Sequence, residues 1–344
     1  MYGVKHPYRI REIAAQAGLS EATVDRVLHG RSGVRESTIR EVRQAISDLD
    51  RQRSQVRLGG RTFMVDVVVQ APPRFSAAIR AALEAELPGL RPVIRARFHL
   101  VDGPSVSDVV AVLERVGRSR SHGVILKAPD VPEIVAAVRS LGVPLVTLVT
   151  DLPASPRIAY AGIDNRAAGA TAAYLIQQWL AGRAGEVLVV RGHGSFRGED
   201  EREMGFRAEM RDQAPGRRLL EVVDAEDRAD AVQAGIRDVL AGNPSVRAIY
   251  SLYAGAGGNA AVVAAFAAQR RAYDVFVAHD LDVENTALLR ERKLSAVLHH
   301  DLRTDLRRAC HAIMQAQGAL PGPVRTNPSA VQVITPHNAP PVEF

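Results

Sequence analysis

A single cysteine, Cys310, stands in 344 residues. One thiol closes no internal disulfide and builds no cysteine-rich zinc site, so the reducing cytoplasm is the expected compartment. No apolar run approaches the ~18 residues a membrane helix needs. The first twelve positions are polar or charged throughout most of their length and hold no stretch of signal-peptide size, so export is not expected. Catalytic signatures are also scarce. There is no G-x-S-x-G elbow for a nucleophilic serine, and Cys310 falls among Ala309, Ile313 and Met314, the setting of a buried, inert thiol. His299, His300 and Asp301 are adjacent, and neighbours on a strand point to opposite faces; no H-x-x-x-H pair supports them, so no metal is expected. The glycines of 192–198 follow a strand and precede a helix, but their spacing is G-x-G-x-x-x-G, one residue too long for a dinucleotide fingerprint. No cofactor and no enzyme activity are expected. The tail from Pro336 carries no heptads, which argues against a coiled-coil tetramer.

What the chain does have is an uneven charge. Residues 1–62 hold twelve Lys/Arg against seven Asp/Glu and so carry five of the six net positive charges. The other 282 residues are nearly neutral, and 47% of the whole is hydrophobic, enough for more than one core. A basic head on a neutral body suggests a nucleic-acid module joined to something else. In the head, Ile10, Ile13, Ala14 and Ala17 follow helical spacing and Gly18 suits a left-handed cap. Ser20 offers an N-cap to a second helix with Val24, Val27 and Leu28 inward and Glu21, Ala22, Asp25, Arg26 and His29 outward, stopped by Gly30. Ile39, Val42, Ile46 and Leu49 make the stripe of a third. Two helices joined by so short a turn form a helix-turn-helix. Short side chains at the start of the second would let it enter a major groove, with Arg26 placed to reach a base edge. A helical hairpin for protein contact fits the same periodicity.

From Thr62 onward, strands expected at 65–69, 93–100, 124–126, 187–190, 247–251 and 275–278 alternate with helices such as 75–87 and 106–116. The fold class is α/β with parallel sheets, and two subdomains around a cleft are the economical arrangement. Ligands of such sheets bind beyond the carboxyl ends of strands. Those ends carry Phe75, Lys127, Asp151, Asp164, Arg202, Asp280 and the pair His299-His300. Carboxylates, arginine and an aromatic face together suit a polyhydroxylated small molecule.

Two stretches resemble known families. Tyr8 to Arg35, with its AxxAGxS turn, TVxRVLxG recognition helix and following GV, closely resembles the DNA-binding domain of the lac/galactose repressor family. The resemblance implies that Glu21 and Ala22 are the principal base-reading positions and Arg26 a second base contact. It makes Ser20, Thr23 and His29 candidates for phosphate or base-edge contact. Asp25 departs from the family, which usually has Ser there; a carboxylate beside DNA is repulsive unless a base neutralises it. The family's hinge helix wedges a leucine into the minor groove, whereas Gly60 falls near that position here, and a Gly-Gly pair costs about 2 kcal/mol of helix stability. The linker is therefore expected to be disordered without DNA, its arginines at 51, 53, 57 and 61, above all Arg53 and Arg57, still favouring phosphate contact.

Most of 63–335 is similar to the type I periplasmic sugar-binding-protein fold that this family uses as its sensor. The resemblance implies that Arg202 grips ligand hydroxyls, that Asp280 and Asp151 stand at ligand-binding strand ends, that Phe75 stacks on the ring, and that His300 closes the pocket. Lys127 falls on the loop after the third strand, and Asp164 at the crossover into the second subdomain. Lys127 and the histidines are not typical of a neutral-hexose pocket, which leaves an acidic or phosphorylated sugar open.

The expected organisation is a helix-turn-helix domain at 1–50, a hinge at 51–62 and an effector core at 63–344. The core divides into one subdomain of about 63–161 plus 301–326 and another of about 162–300 plus 327–344. The expected function is a sequence-specific transcription regulator of the repressor type, a homodimer on operator DNA that answers to a sugar, polyol or sugar acid. A cytosolic dinucleotide-dependent dehydrogenase with a helical extension, or a plain sugar-binding protein, would account for the body alone.

Overall fold

Local capping decides where the head's helices begin and end. In the computed structural model, which describes residues 8–58, 62–192, 196–224 and 228–340, α1 (Ile10–Ala17) stops where Gly18 turns left-handed at φ 65°. The Ser20 hydroxyl accepts from the Thr23 N–H at 3.2 Å and starts α2 (Glu21–Leu28). The third helix, α3 (Glu36–Leu58), closes the bundle, and Ile13, Ala14, Val24, Val42 and Ala45 form its buried centre.

α3 corrects one expectation. It does not end near Asp50 but continues as one helix to Leu58, across most of the segment expected as a disordered hinge. The residues 51–58 are Arg, Gln, Ser, Val and Leu, none of them a helix breaker, so nothing stops the helix before the glycine pair. Gly59, Gly60 and Arg61 lie outside the described residues, as do the side chains of Arg51, Arg53 and Arg57.

The body alternates strand and helix. β1 (Phe63–Gln70), α4 (Pro73–Glu86), β2 (Ile94–Val101), α5 (Val106–Gly117), β3 (Gly123–Lys127), α6 (Pro132–Arg139), β4 (Leu145–Leu148) and β5 (Ala159–Ala161) build a parallel sheet of order β2-β1-β3-β4-β5. The chain then crosses into a second unit. There α7 (Asn165–Leu180), β6 (Glu186–Gly192), α8 (Arg197–Gln213), β7 (Leu219–Asp224), α9 (Ala229–Gly242), β8 (Val246–Ser251), α10 (Gly258–Ala268), β9 (Val275–His279), α11 (Val283–Arg290) and β10 (Ala296–His299) follow one another. After β10 the chain returns to lay α12 (Leu302–Ala316) on the first sheet, and β11 (Gln332–Ile334) completes the second by pairing antiparallel with β10. The second sheet has the order β11-β10-β9-β8-β6-β7. β1 is buried almost throughout, as a strand covered on both faces must be. Leu306, Ala309, Cys310 and Ile313 of α12 fill one side of the first sheet together with Ile79 and Leu83 of α4.

One helix pair has no room for side chains at its crossing. A Cβ on Gly169 of α7 would land on the Arg202 carbonyl, and one on Gly205 of α8 would land on the Arg166 carbonyl. This approach holds α8, and with it Arg202, against the second lobe.

Candidate functional site

In the head, α2 presents one exposed face. Glu21, Ala22, Arg26 and His29 are exposed, Thr23 and Asp25 half-buried, and Val24 fully buried beneath. Asp25 is neutralised by its own neighbours. His29 Nδ1 lies 3.0 Å and Arg31 NH1 3.3 Å from its carboxylate, so the charge is balanced without Arg26. His29 is accordingly tied back to its own helix, its Nδ1 also 2.9 Å from the Asp25 carbonyl. Ser20 and Thr23 share a hydrogen bond of 2.8 Å at the start of the helix.

In the body, the carboxyl ends of both sheets meet around a cavity of about 400 Å³. Of the strand-end residues expected there, Phe75, Lys127, Arg202 and Asp280 line it. Two strand ends are bent by left-handed residues, Val149 after β4 at φ 66° and Asp280 after β9 at φ 62°. For a β-branched residue this conformation is a true outlier, costing on the order of 1–3 kcal/mol, and such strain collects at ligand sites. Its compensation is visible. The Val149 carbonyl accepts from Tyr160 Oη at 3.0 Å and Asn165 Nδ2 at 3.1 Å, while the Asp280 carbonyl accepts from Asn285 Nδ2 at 2.7 Å.

Arg202 is almost completely buried. Its Nε donates to Asn165 Oδ1 at 2.9 Å, its NH1 to the Leu252 carbonyl at 3.3 Å, and NH1 lies 3.8 Å from Asp280 Oδ2. Burial alone would raise the Asp280 pKa, but Arg202 and His300 together hold its carboxyl well below the ordinary range. His300 does not line the cavity. It sits behind Asp280, 1% exposed, with Nε2 3.5 Å from Asp280 Oδ1 and Nδ1 3.1 Å from Asp305 Oδ2. Burial disfavours its charge, yet the two carboxylates outweigh burial and raise its pKa to about 9. His300 is thus a charged positioning residue rather than a lid on the pocket.

Besides His300, two more expected residues, Asp151 and Asp164, do not line the cavity. Asp151 is clamped by Arg157, whose NH2 donates to it at 2.6 Å, and it accepts from Thr147 Oγ1 at 2.7 Å and from the Leu152 N–H at 2.9 Å. It ties down the loop between β4 and β5. Asp164 is the N-cap of α7, accepting from the Ala167 N–H at 2.9 Å, and is exposed. Asn165 beside it, 3% exposed, is the residue that holds Arg202.

The lobes also grip one another across the cleft. Arg74 of α4 pairs with Asp282, the N-cap of α11, and lies 3.7 Å from Glu284. Arg197 of α8 reaches Asp130 of the first lobe at 3.5 Å, and the Gly198 N–H donates to Thr150 Oγ1 at 3.1 Å. Gly192 and Gly198 border the cavity. A Cβ on Gly198 would crowd Asn165 and the Val149 carbonyl, and one on Gly192 would crowd Tyr253, so packing accounts for both glycines. His193, Gly194 and Ser195 between them lie outside the described residues.

The family model for the periplasmic binding protein domain matches residues 97–318. The chain belongs to that family. Its head matches the model for bacterial regulatory proteins of the lacI family over residues 9–53. The HTH-type transcriptional regulator reg1 of Streptomyces lividans is 38% identical over 91 residues, which span 25% of this chain and 26% of that regulator. The chain thus matches about a quarter of that relative's length. Among solved structures, GanP, a glucose-galactose binding protein from Geobacillus stearothermophilus, superposes with a TM-score of 0.72 at 18% identity, over 81% of this chain and 99% of that one. A protein described as a LacI transcriptional regulator from Bacteroides fragilis superposes at 0.70 and 17% identity, over 81% and 98% of the two chains. An ABC transporter solute-binding protein from Burkholderia graminis, solved with D-arabinose, does so at 0.72 and 19%, over 80% and 96%. At these identities the likeness is one of fold.

In this periplasmic-binding-protein body, sequence reasoning missed Glu199, Asp102, Asp224, Phe196 and Tyr253, all of which line the cavity. Glu199 is one turn from Arg202 on α8, a spacing that puts both on one face once the helix is known. Asp224 ends β7 and could have been found by the strand-end rule. Asp102 and Tyr253 follow β2 and β8, and the same rule reaches them. Phe196 carries no comparable signal, because only the fold sets its ring 3.5 Å from Lys127 Nζ.

Proposed function

We propose that the protein is a cytoplasmic transcription repressor that acts as a homodimer on operator DNA and responds to a small carbohydrate-like effector. What carries this reading is the joining, in one chain, of a lacI-type head with an exposed recognition face to a body whose two lobes enclose a charged and aromatic cleft. Glu21, Ala22 and Arg26 would read base edges. Ser20, Thr23, Arg53 and Arg57 would meet phosphates, and His29, tied to Asp25, would serve mainly to balance that carboxylate. A two-fold operator requires a two-fold protein. In the cleft, Phe75 would stack on the ligand, Arg202 and Asp280 would bind its hydroxyls, Lys127 would supply charge, and His300 would orient Asp280. Neighbours of this fold are described as binding glucose, galactose or arabinose, which is the chemistry of hydroxyl-bearing rings.

The effector would act by changing how the lobes sit on each other and hence how the two heads are spaced. Coupling between such sites is typically about 1–3 kcal/mol, and a near-complete switch needs about 5.5 kcal/mol of differential affinity. The test is fluorescence anisotropy of the full-length protein on fragments of its genome's promoters, with and without a panel of sugars, polyols and sugar acids. Operator binding that at least one compound changes is the expected result. Asp280→Ala should keep operator affinity without ligand and lose the response; a mutant that still responds at the same concentration would mean the pocket is misplaced.

A further inference from the structure

We propose that the effector is a polyhydroxylated carboxylate of the aldonate or uronate type and that its carboxylate pairs with Lys127. This rests on the reading of the cleft as the effector site. Among the described residues, three cations lie in or just behind the inner cleft, and two of them have carboxylates. Arg202 has Asp280, and His300 has both Asp280 and Asp305. Lys127 has none. It is 7% exposed, its Nζ donates to the Gln70 carbonyl at 3.2 Å, and it lies over the rings of Phe196 at 3.5 Å and Phe75 at 5.5 Å. Among the described residues no carboxylate comes within ion-pair distance of it. Glu199, the acid with the largest influence on it, is itself pushed toward its neutral form by burial.

A buried ammonium without a counter-ion is costly, and a bound anion relieves that cost. A neutral sugar cannot. The rest of the lining specifies hydroxyl donors. Gln70 and Asp280 border the cavity: Gln70 Oε1 has no hydrogen-bond partner among the described residues, and Asp280 Oδ2 lies 3.8 Å from Arg202 NH1 while its other oxygen faces His300. Both side chains would accept from a ligand hydroxyl. Phe75 and Phe196 take apolar ring faces. A singly charged carboxylate fits this set better than a phosphate dianion, because Asp102, Glu199, Asp224 and Asp280 all border the same space and Lys127, alone among the described cations there in having no carboxylate partner, cannot balance two charges among them.

The experiment is isothermal titration of the full-length protein with matched pairs, gluconate against glucose and galacturonate against galactose, with glucose 6-phosphate as a third arm. The acid of at least one pair should bind wild-type protein tenfold or more tightly than its neutral partner, and Lys127→Met should abolish that preference. The free Lys127→Met protein should also melt no lower than wild type, since a buried charge with no carboxylate at ion-pair distance is replaced by an apolar chain of similar length. Neutral sugars that bind as tightly as the acids, or a sugar phosphate that binds tightest, would overturn the carboxylate assignment and leave the effector site standing. Persistence of the acid preference in Lys127→Met would overturn the role of Lys127. No heat with any of these compounds, and no change by any of them in operator binding, would sink the effector reading itself.

Discussion

Asp280 shows how much one residue can be asked to do. It follows a strand in a left-handed conformation, borders the cavity, sits beside the Arg202 guanidinium, and leans through Oδ1 on a charged histidine behind it. His300 has a pKa near 9 in the folded protein, above the ordinary 6.5. A group raised in this way stabilises the fold in full below its unfolded pKa, and that contribution is lost as pH climbs through the folded one. The thermal midpoint should therefore fall between pH 7 and pH 10, and His300→Gln should flatten that decline. A wild-type profile with the same slope as the mutant would remove the charge from His300. In the head, Arg26 and Arg53 should separate by kind of contact. Arg26→Ala should cost about 1–3 kcal/mol on operator DNA and relax preference at one base pair. Arg53→Ala should weaken all sequences alike and flatten the salt slope by about one. Anisotropy titrations over a salt series check both, and identical effects would refute the assignment. These single residues were partly legible beforehand. The expectation that residues after strands reach the cleft places Phe75, Lys127, Arg202 and Asp280 on the cavity lining, whereas Asp151, Asp164 and His300 satisfied the same rule and serve a loop clamp, a helix cap and a support behind Asp280 instead.

At the scale of elements, the α7–α8 pair decides whether the site exists. Gly169 and Gly205 let the two helices approach until each glycine faces the other helix's backbone, and Arg202 and Asn165 face each other because of it. Gly205→Ala must push the helices apart, and overpacking of this sort costs about 1–3 kcal/mol or more. Gly242→Ala, at the end of α9 with nothing within 4 Å of the new methyl, should instead be neutral or stabilising by up to about 1 kcal/mol. Urea denaturation of the two variants measures the difference; similar midpoints would show that the crossing tolerates a methyl. The course of α3 is also settled at this scale. A run of good helix formers reaching Leu58 extends the third helix well beyond the apolar stripe that announced it, since propensity can continue a helix that packing began.

Across the whole molecule, a small basic bundle is attached to two large lobes. Among the described residues the bundle buries five in its centre, against cores of many more in the body, and small cores are marginal. The single tryptophan, Trp179, lies on α7 in the second lobe, so its fluorescence reports the body alone, whereas circular dichroism at 222 nm also sees the head. On heating, helix signal should begin to fall before tryptophan emission shifts; coincident curves would mean that head and body melt as one unit. The lobes are held by ion pairs on either side of the cleft, Arg74 with Asp282 and Arg197 with Asp130, which are the contacts a change of lobe orientation has to remake. The sequence by itself determined the three head helices, the basic bias of their segment and the alternation of strand and helix, because caps, periodicity and charge depend on residues within a turn or two of each other. Only the tertiary structure decided that Asn165 rather than Asp164 serves Arg202 from 37 positions away, that His300 stands behind Asp280, and that Lys127 meets the Gln70 carbonyl 57 positions upstream but no carboxylate among the described residues. Those relations are made by bringing strand ends of two separate sheets to one cleft, and no local pattern in the chain encodes which side chains will then face each other.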